Sequence, residues 1–235
     1  MGWLVEDLGG GGADFAGDGA PAAMGARFRQ VQDATYDDDG NLYLVDQGNH
    51  VIRRIDAGGV ITTIAGDPAI LGYAGDGGPA LEAQFSWAVG SNPNPSGGIV
   101  HHQGKLYISD TEADVIRVMD LETGMIDAFA GTGEEGDSGD GGPARDAKLN
   151  APRDLEIGPD GHLYFADTDN GRVRAIDLES GTLRTVVGTG ELGLDDDGLA
   201  ATETRLRRPF GIAFDPDGNL YVMDTLNSRI VKVAR

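Results

Sequence analysis

Asp33, Asp154 and Glu156 carry the strongest hint of chemistry in the chain. Asp33 and Asp154 each stand seven residues before a hairpin glycine, Gly40 and Gly161, and Gly211 holds the same place before Gly218. Glu156 lies two residues beyond Asp154, so on an extended strand both side chains point to one side. If these segments face one another across an axis, Asp33 and Asp154 converge on a channel with Glu156 deeper in it. That set suits a divalent cation such as Ca²⁺ or a water-bridged metal. With one pKa raised by burial it also suits an acid–base pair. Equally, the carboxylates can accept hydrogen bonds from backbone N–H groups of the loops that enter these strands. The same loops supply Gln30, Gln32, Trp87, Asn150, Arg153, Arg207, Arg208 and Phe210. Arginines beside aromatic groups grip a carboxylate or a carbonyl-rich ligand, or pair with Asp33 and Asp154.

The elements that must position these residues form a repeat. Gly75-Asp76-Gly77-Gly78-Pro79-Ala80 recurs letter for letter at Gly139–Ala144, as GDGAPA at Gly17–Ala22 and in worn form as DDGLA at Asp196–Ala200. A phosphate cradle needs a Lys and a Ser or Thr after its glycines, leading into a long helix. Pro143 and Ala144 stand there instead, so the loop reads as punctuation between units. The aspartates Asp18, Asp76, Asp140 and Asp196 are 58, 64 and 56 residues apart, and counting on from Asp196 through the C-terminus to Asp18 gives 57. Such a period, built from strand-like segments, signals a propeller or array. Within each unit a hairpin turn (Asp37–Asn41, Pro159–His162, Asp215–Asn219) leads to LYLVD, LYISD, LYFAD or LYVMD, ending at Asp46, Asp110, Asp167 and Asp224. A third strand follows, as in Val51–Ile55, and a fourth, as in Val60–Ala65. Recurrence of the strand-end aspartates in every unit marks them as turn caps. The last unit has three strands, and Val5–Gly10 matches Ile61–Gly66 in phase; pairing it beside the last unit closes the ring and removes two sheet edges. The expectation is an all-β propeller of four-stranded antiparallel blades. It forms one domain over 1–235, with repeats at about 27–66, 84–131, 149–188 and 206–235 plus 3–10.

The pattern GDGGPA…GNLY…D…N…IR…D…ITTIAG resembles the NHL-repeat β-propellers over essentially the whole chain, including Asn49-His50 in QGNHVIRRID. The resemblance implies a scaffold that serves as a binding module, an extracellular sensor or occasionally an enzyme. Its members more often have six blades, so two readings stand: a closed four-bladed ring, monomeric, or part of a six- or eight-bladed ring completed by another chain as a homodimer. The amidating lyases of this fold use a His-rich zinc site; here His101, His102 and His162 fall in hairpin turns away from the expected mouth and His50 lies in the connection between the second and third strands, so such a site is not supported. The metal-binding Asn and Glu pattern of lactonase-like propellers is not reproduced either.

The second repeat is longer, with 19 residues from Phe85 to Gly104 against 12 from Phe28 to Gly40. The extra residues lie near Gly90–Gly97 and include Asn92, expected beside the channel mouth. The net charge of −21 repels phosphate backbones, which disfavours nucleic acid. No apolar run approaches the ~18–20 residues of a membrane span, and with no cysteine there is no thiolate chemistry. The leading expectation is a non-catalytic recognition propeller of the cell envelope or exterior, presenting its mouth to a protein, peptide or glycan. The alternative is a divalent-metal-dependent hydrolase or lyase using the channel carboxylates.

Overall fold

Short apolar runs separated by Gly- and Asp-bearing turns give strands rather than helices. A computed structural model describes residues 9–10, 15–88 and 96–234. Blade 1 comprises β1 (Val31–Tyr36), β2 (Leu42–Asp46), β3 (Val51–Ile55) and β4 (Ile61–Ala65), antiparallel and in sequence order. Blade 2 comprises β6 (Ile99–His102), β7 (Lys105–Asp110), β8 (Val115–Asp120) and β9 (Met125–Ala130), with the two-residue β5 (Gly78–Pro79) outside β9. Blade 3 is β10 (Pro152–Ile157), β11 (Leu163–Asp167), β12 (Arg172–Ile176) and β13 (Leu183–Val187). Blade 4 holds β14 (Pro209–Phe214), β15 (Leu220–Asp224) and β16 (Arg229–Val233) among the described residues. The fourth strand expected from the N-terminus lies outside the described residues.

Each innermost strand wedges against the first two strands of the blade before it: β6 on β1 and β2, β10 on β6 and β7, β14 on β10 and β11. The chain is thus a four-bladed β-propeller. Strands such as β7 and β11 are apolar on both faces because a blade covers each side. The junction of blades 1 and 2 buries Tyr43, Val45, Ile52, Phe85, Trp87 and Ile99 in one cluster. Polar latches repeat beside this packing. Thr111 Oγ1 donates to Pro152 O (2.9 Å) and Thr168 Oγ1 to Pro209 O (2.8 Å), each reaching from the end of a second strand to the next blade's inner strand.

The glycine-rich loops act as punctuation, and their aspartates do more than the spacing reveals. Arg53, Arg117 and Arg174 occupy one position on the third strands and are wholly buried. The Arg117 guanidinium donates to Asp76 Oδ1 (2.9 Å), Gln84 O (2.7 Å) and Ala74 O (2.9 Å), and stands 3.6 Å from Asp110 Oδ2. Arg174 reaches Asp140 (2.8 Å), Ser138 O (2.9 Å), Lys148 O (3.1 Å) and Asp167 (3.3 Å). Each arginine ties the loop aspartate, the linker backbone and the strand-end aspartate into one knot. In blade 4 Val231 stands at the equivalent place, and Arg229 substitutes from two residues away, bonding Asp224 Oδ2 (2.8 Å), Asp195 O (2.8 Å) and Arg205 O (3.1 Å).

Two registers differ by one residue from the sequence reading. The one-turn helices after the loops begin at Ala80, Ala144 and Ala201, which aligns Asp197, not Asp196, with Asp76 and Asp140. Gly10 N–H donates to Ala26 O as Thr132 does to Ala147 O and Thr189 to Thr204 O. Gly9, not Gly10, therefore stands where Gly66, Gly131 and Gly188 stand. The cause in the first linker is one extra residue, absorbed by the four-residue helix Ala22–Gly25 in place of a three-residue turn.

Removing one partner of a buried, multiply bonded ion pair leaves an uncompensated charge, at a cost of about 3–5 kcal/mol. Arg117→Met is expected to lower unfolding stability by that amount in urea titrations. Arg145→Met, at an exposed pair with Asp127, changes it little or not at all.

Candidate functional site

At the end of the axis where the linkers enter the innermost strands, all four blades wall one cavity of about 290 Å³. Its lining includes Gln32 and Asp33 from β1, Ser96, Gly97 and Gly98 before β6, Arg153 and Asp154 from β10, Phe210 and Gly211 from β14, and Met223 from β15. The entering loops turn into the inner strands through one repeated conformation. Gln30, Ala151 and Arg208, at equivalent positions, have φ of 57°, 50° and 53°, a left-handed backbone rarely taken by non-glycine residues.

Asp33 Oδ2 accepts Ile99 N–H (2.8 Å) and Oδ1 accepts Ala34 N–H (2.8 Å), while Asp154 Oδ2 accepts Ile212 N–H (2.7 Å). The two carboxylates therefore bridge innermost strands, blade 1 to blade 2 and blade 3 to blade 4. The bonded amides directly follow Gly98 and Gly211, so no side chain on those residues blocks the reach. Burial pushes the Asp154 carboxyl up to about 7, with Asp33 and Glu156 adding repulsion against the Ile212 bond. Burial likewise raises Asp33, and burial with repulsion from Asp33 raises Glu156. The three feel one another's charge, yet among the described residues no three His, Cys, Asp or Glu side chains are grouped to hold a metal ion.

Next to Asp154 on β10, Arg153 is buried, with its guanidinium 4.8 Å from the centre of the Phe210 ring. Arg208 approaches the same ring at 5.4 Å and forms an ion pair with Asp169. Burial, and secondly the neighbouring Arg208 charge, depress the Arg153 pKa. Phe210 and Arg153 thus line the cavity, while Arg208 reaches the same ring but is not part of the lining.

The other predicted residues scatter. Trp87 is fully buried, stacked on Phe85 at 4.3 Å with Nε1 donating to Ser109 O (2.9 Å). It is a core residue because the stack fills the junction of blades 1 and 2. Asn150 and Arg207 lend their N–H groups to Asp167 and Asp224, and neither they nor Gln30 line the cavity. Asn92 lies outside the described residues. The end of the long second-repeat segment does reach the mouth: Gly97 N–H donates to Thr111 Oγ1 (2.9 Å) and Gly98 N–H to Ser109 Oγ (2.6 Å). Gly97 has φ 91°, and a Cβ there would meet Trp87 and Val45 at 2.9 Å. Met223 escaped sequence reading because its equivalents, Val45, Ser109 and Ala166, are buried between blades.

Comparison with known proteins places this geometry. A family model described as the Teneurin NHL domain matches residues 102–196. The chain is 31% identical to NHL repeat-containing protein 2 of Gallus gallus over 80% of its own length and 29% of that protein. It spans 29% or less of the curated relatives it matches. Among solved structures, an auxiliary nutrient binding protein from Bacteroides ovatus superposes with TM-score 0.65 at 21% identity, covering 91% of this chain and 50% of that one. A putative gluconolactonase superposes with TM-score 0.56 at 17% identity, covering 87% and 59%. At these identities the structural likeness concerns the fold alone.

Because Asp154 binds its proton more tightly folded than unfolded, the native state takes up protons and stability falls as pH rises from about 4 to 7. Asp154→Asn keeps the acceptor for Ile212 and removes this dependence. Thermal melts are expected to show the variant level with the parent near pH 4.5 and more stable at pH 8.

Proposed function

The chain belongs to the NHL-repeat β-propeller family, and we propose that it is a recognition propeller whose mouth cavity binds a carboxylate- or carbonyl-bearing group of a protein, peptide or glycan. One observation carries this reading: the buried Arg153 guanidinium lies over Phe210 at the wall of the cavity formed by all four blades. A fixed guanidinium with an aromatic neighbour presents directional donors to a planar oxygen pair. Asp33 and Asp154 are held by backbone amides of the neighbouring blades and stiffen that wall. The cavity suits one residue or sugar of a larger ligand, with the rim formed by Gln32 and the end of the second-repeat segment. The nutrient-binding description of the Bacteroides ovatus protein is in keeping with this use of the fold.

A second reading, catalysis, is favoured by one feature. A carboxyl that titrates at about 7 at a cavity wall is poised to exchange a proton with a bound group.

Isothermal titration with N-acetylated amino acids, short peptides and uronic-acid oligosaccharides tests both readings. A charge-assisted hydrogen bond contributes about 1.5–3 kcal/mol. Arg153→Met is therefore expected to weaken the tightest ligand of the panel by roughly 10- to 100-fold, with melting temperature as the folding control. Affinity indifferent to this change would sink the binding reading. Turnover of simple lactones or esters that disappears in Asp154→Asn would move the assignment to catalysis.

A further inference from the structure

Three of the innermost strands are bulged at the end that meets the mouth cavity. Consecutive residues of a regular strand point to opposite faces. In β1, β10 and β14 an extra residue interrupts the pairing with the second strand, between Val31 and Ala34, Pro152 and Leu155, and Pro209 and Gly211. A bulge of this kind sets two residues against one and re-aims them. Sequence neighbours consequently both reach the cavity: Gln32 with Asp33, Arg153 with Asp154, and Phe210 with Gly211. The β10 bulge thereby brings a guanidinium and a carboxyl to the same cavity, next to an aromatic ring.

The charges at this wall do not balance. Asp33 and Glu156 each repel Asp154, and Asp33 repels Glu156. None of these three carboxyls forms an ion pair among the described residues. Arg208, the nearby cation outside the lining, is taken up by Asp169. Buried like charges without a countercharge are costly. The amides of Ala34, Ile99 and Ile212 use only part of what the aspartates offer, because a carboxylate has about four acceptor sites. Ser96 belongs to the same lining, and its buried hydroxyl has no hydrogen-bond partner. What is missing is a cation with several donors, and an ammonium carries three.

We propose that the mouth cavity selects a zwitterionic α-amino acid, with Arg153 taking its carboxylate and Asp154, Asp33 and the Ser96 hydroxyl taking its ammonium. This rests on the recognition reading above and narrows its ligand class. The two charged groups of an α-amino acid share one carbon, which matches a cation and an anion supplied by consecutive residues of β10. The amino-acid side chain lies against Phe210. An N-acetylated or purely anionic ligand satisfies Arg153 and leaves the carboxyls unpaired. Asp154 titrates at about 7, so an ammonium arriving beside it expels the proton that it partly holds near neutrality.

Isothermal titration at pH 7, in buffer containing EDTA, compares the common free amino acids with their N-acetyl and methyl-ester forms. The tightest free amino acid is expected to lose roughly 10-fold or more in affinity on either modification. In Asp154→Asn the penalty of acetylation should shrink to less than about 3-fold. Proton release makes the parent's binding enthalpy differ between Tris and phosphate, and the variant should lack that difference. Equal affinity for free and acetylated forms, with binding still weakened by Arg153→Met, overturns this inference and leaves the recognition reading standing. So does a wider panel in which only peptides or uronic acids bind through Arg153. Binding that nowhere depends on Arg153 overturns both.

Discussion

The knot around each buried arginine is the constraint on which the blades depend. A guanidinium sealed from water is tolerable only if nearly every donor finds a charged or carbonyl acceptor. Arg53, Arg117 and Arg174 meet that demand by drawing in the strand-end aspartate, the glycine-loop aspartate and linker carbonyls that lie far apart in sequence. The linker is consequently held against its blade, and the loop it feeds enters the innermost strand at a fixed angle. The cavity wall inherits its geometry from this chain of constraints. Blade 4 rebuilds part of the knot with Arg229, from a neighbouring position on the same strand, binding the strand-end Asp224 carboxylate and two linker carbonyls.

The mouth is acidic and basic at once, and the two characters have different origins. Asp33 and Asp154 are directed sideways, into the backbone of the adjoining blade, and act as rungs between innermost strands. Arg153 and Arg208 share the Phe210 ring. A cation presented against an aromatic face, with neighbouring carboxyls held by amides, keeps positive character in a protein of net charge −21.

Much of the fold was legible because a repeat states its own period. Four copies of a hairpin glycine, a tyrosine-bearing second strand and a terminal aspartate leave little choice of architecture. The site was less legible, for physical reasons attached to particular residues. Trp87 looks like a mouth residue because it follows a linker, but its stack on Phe85 is a contact between blades that no local pattern announces. The pairing of Asp76 with Arg117 spans 41 residues, so the loop aspartate reads as a turn former. Asp196 and Asp197 are chemically identical neighbours, and only the helical turn at Ala201 fixes which one aligns with Asp140. The carboxyls of Asp33 and Asp154 could be located by alignment, but whether they turn to the channel or to the next blade depends on the glycines opposite, in other repeats.

The junctions have a consequence for how the molecule comes apart. Each blade touches only its neighbours, so the chain behaves as a short one-dimensional array whose stability is a sum of blade terms and junction terms. Blades 2 and 3 are flanked on both sides. Blade 4 meets only blade 3 among the described residues and leaves Ile230 facing water. A molecule that seats on that face therefore adds a junction term, raising the cooperativity of the whole array without touching the cavity at its centre.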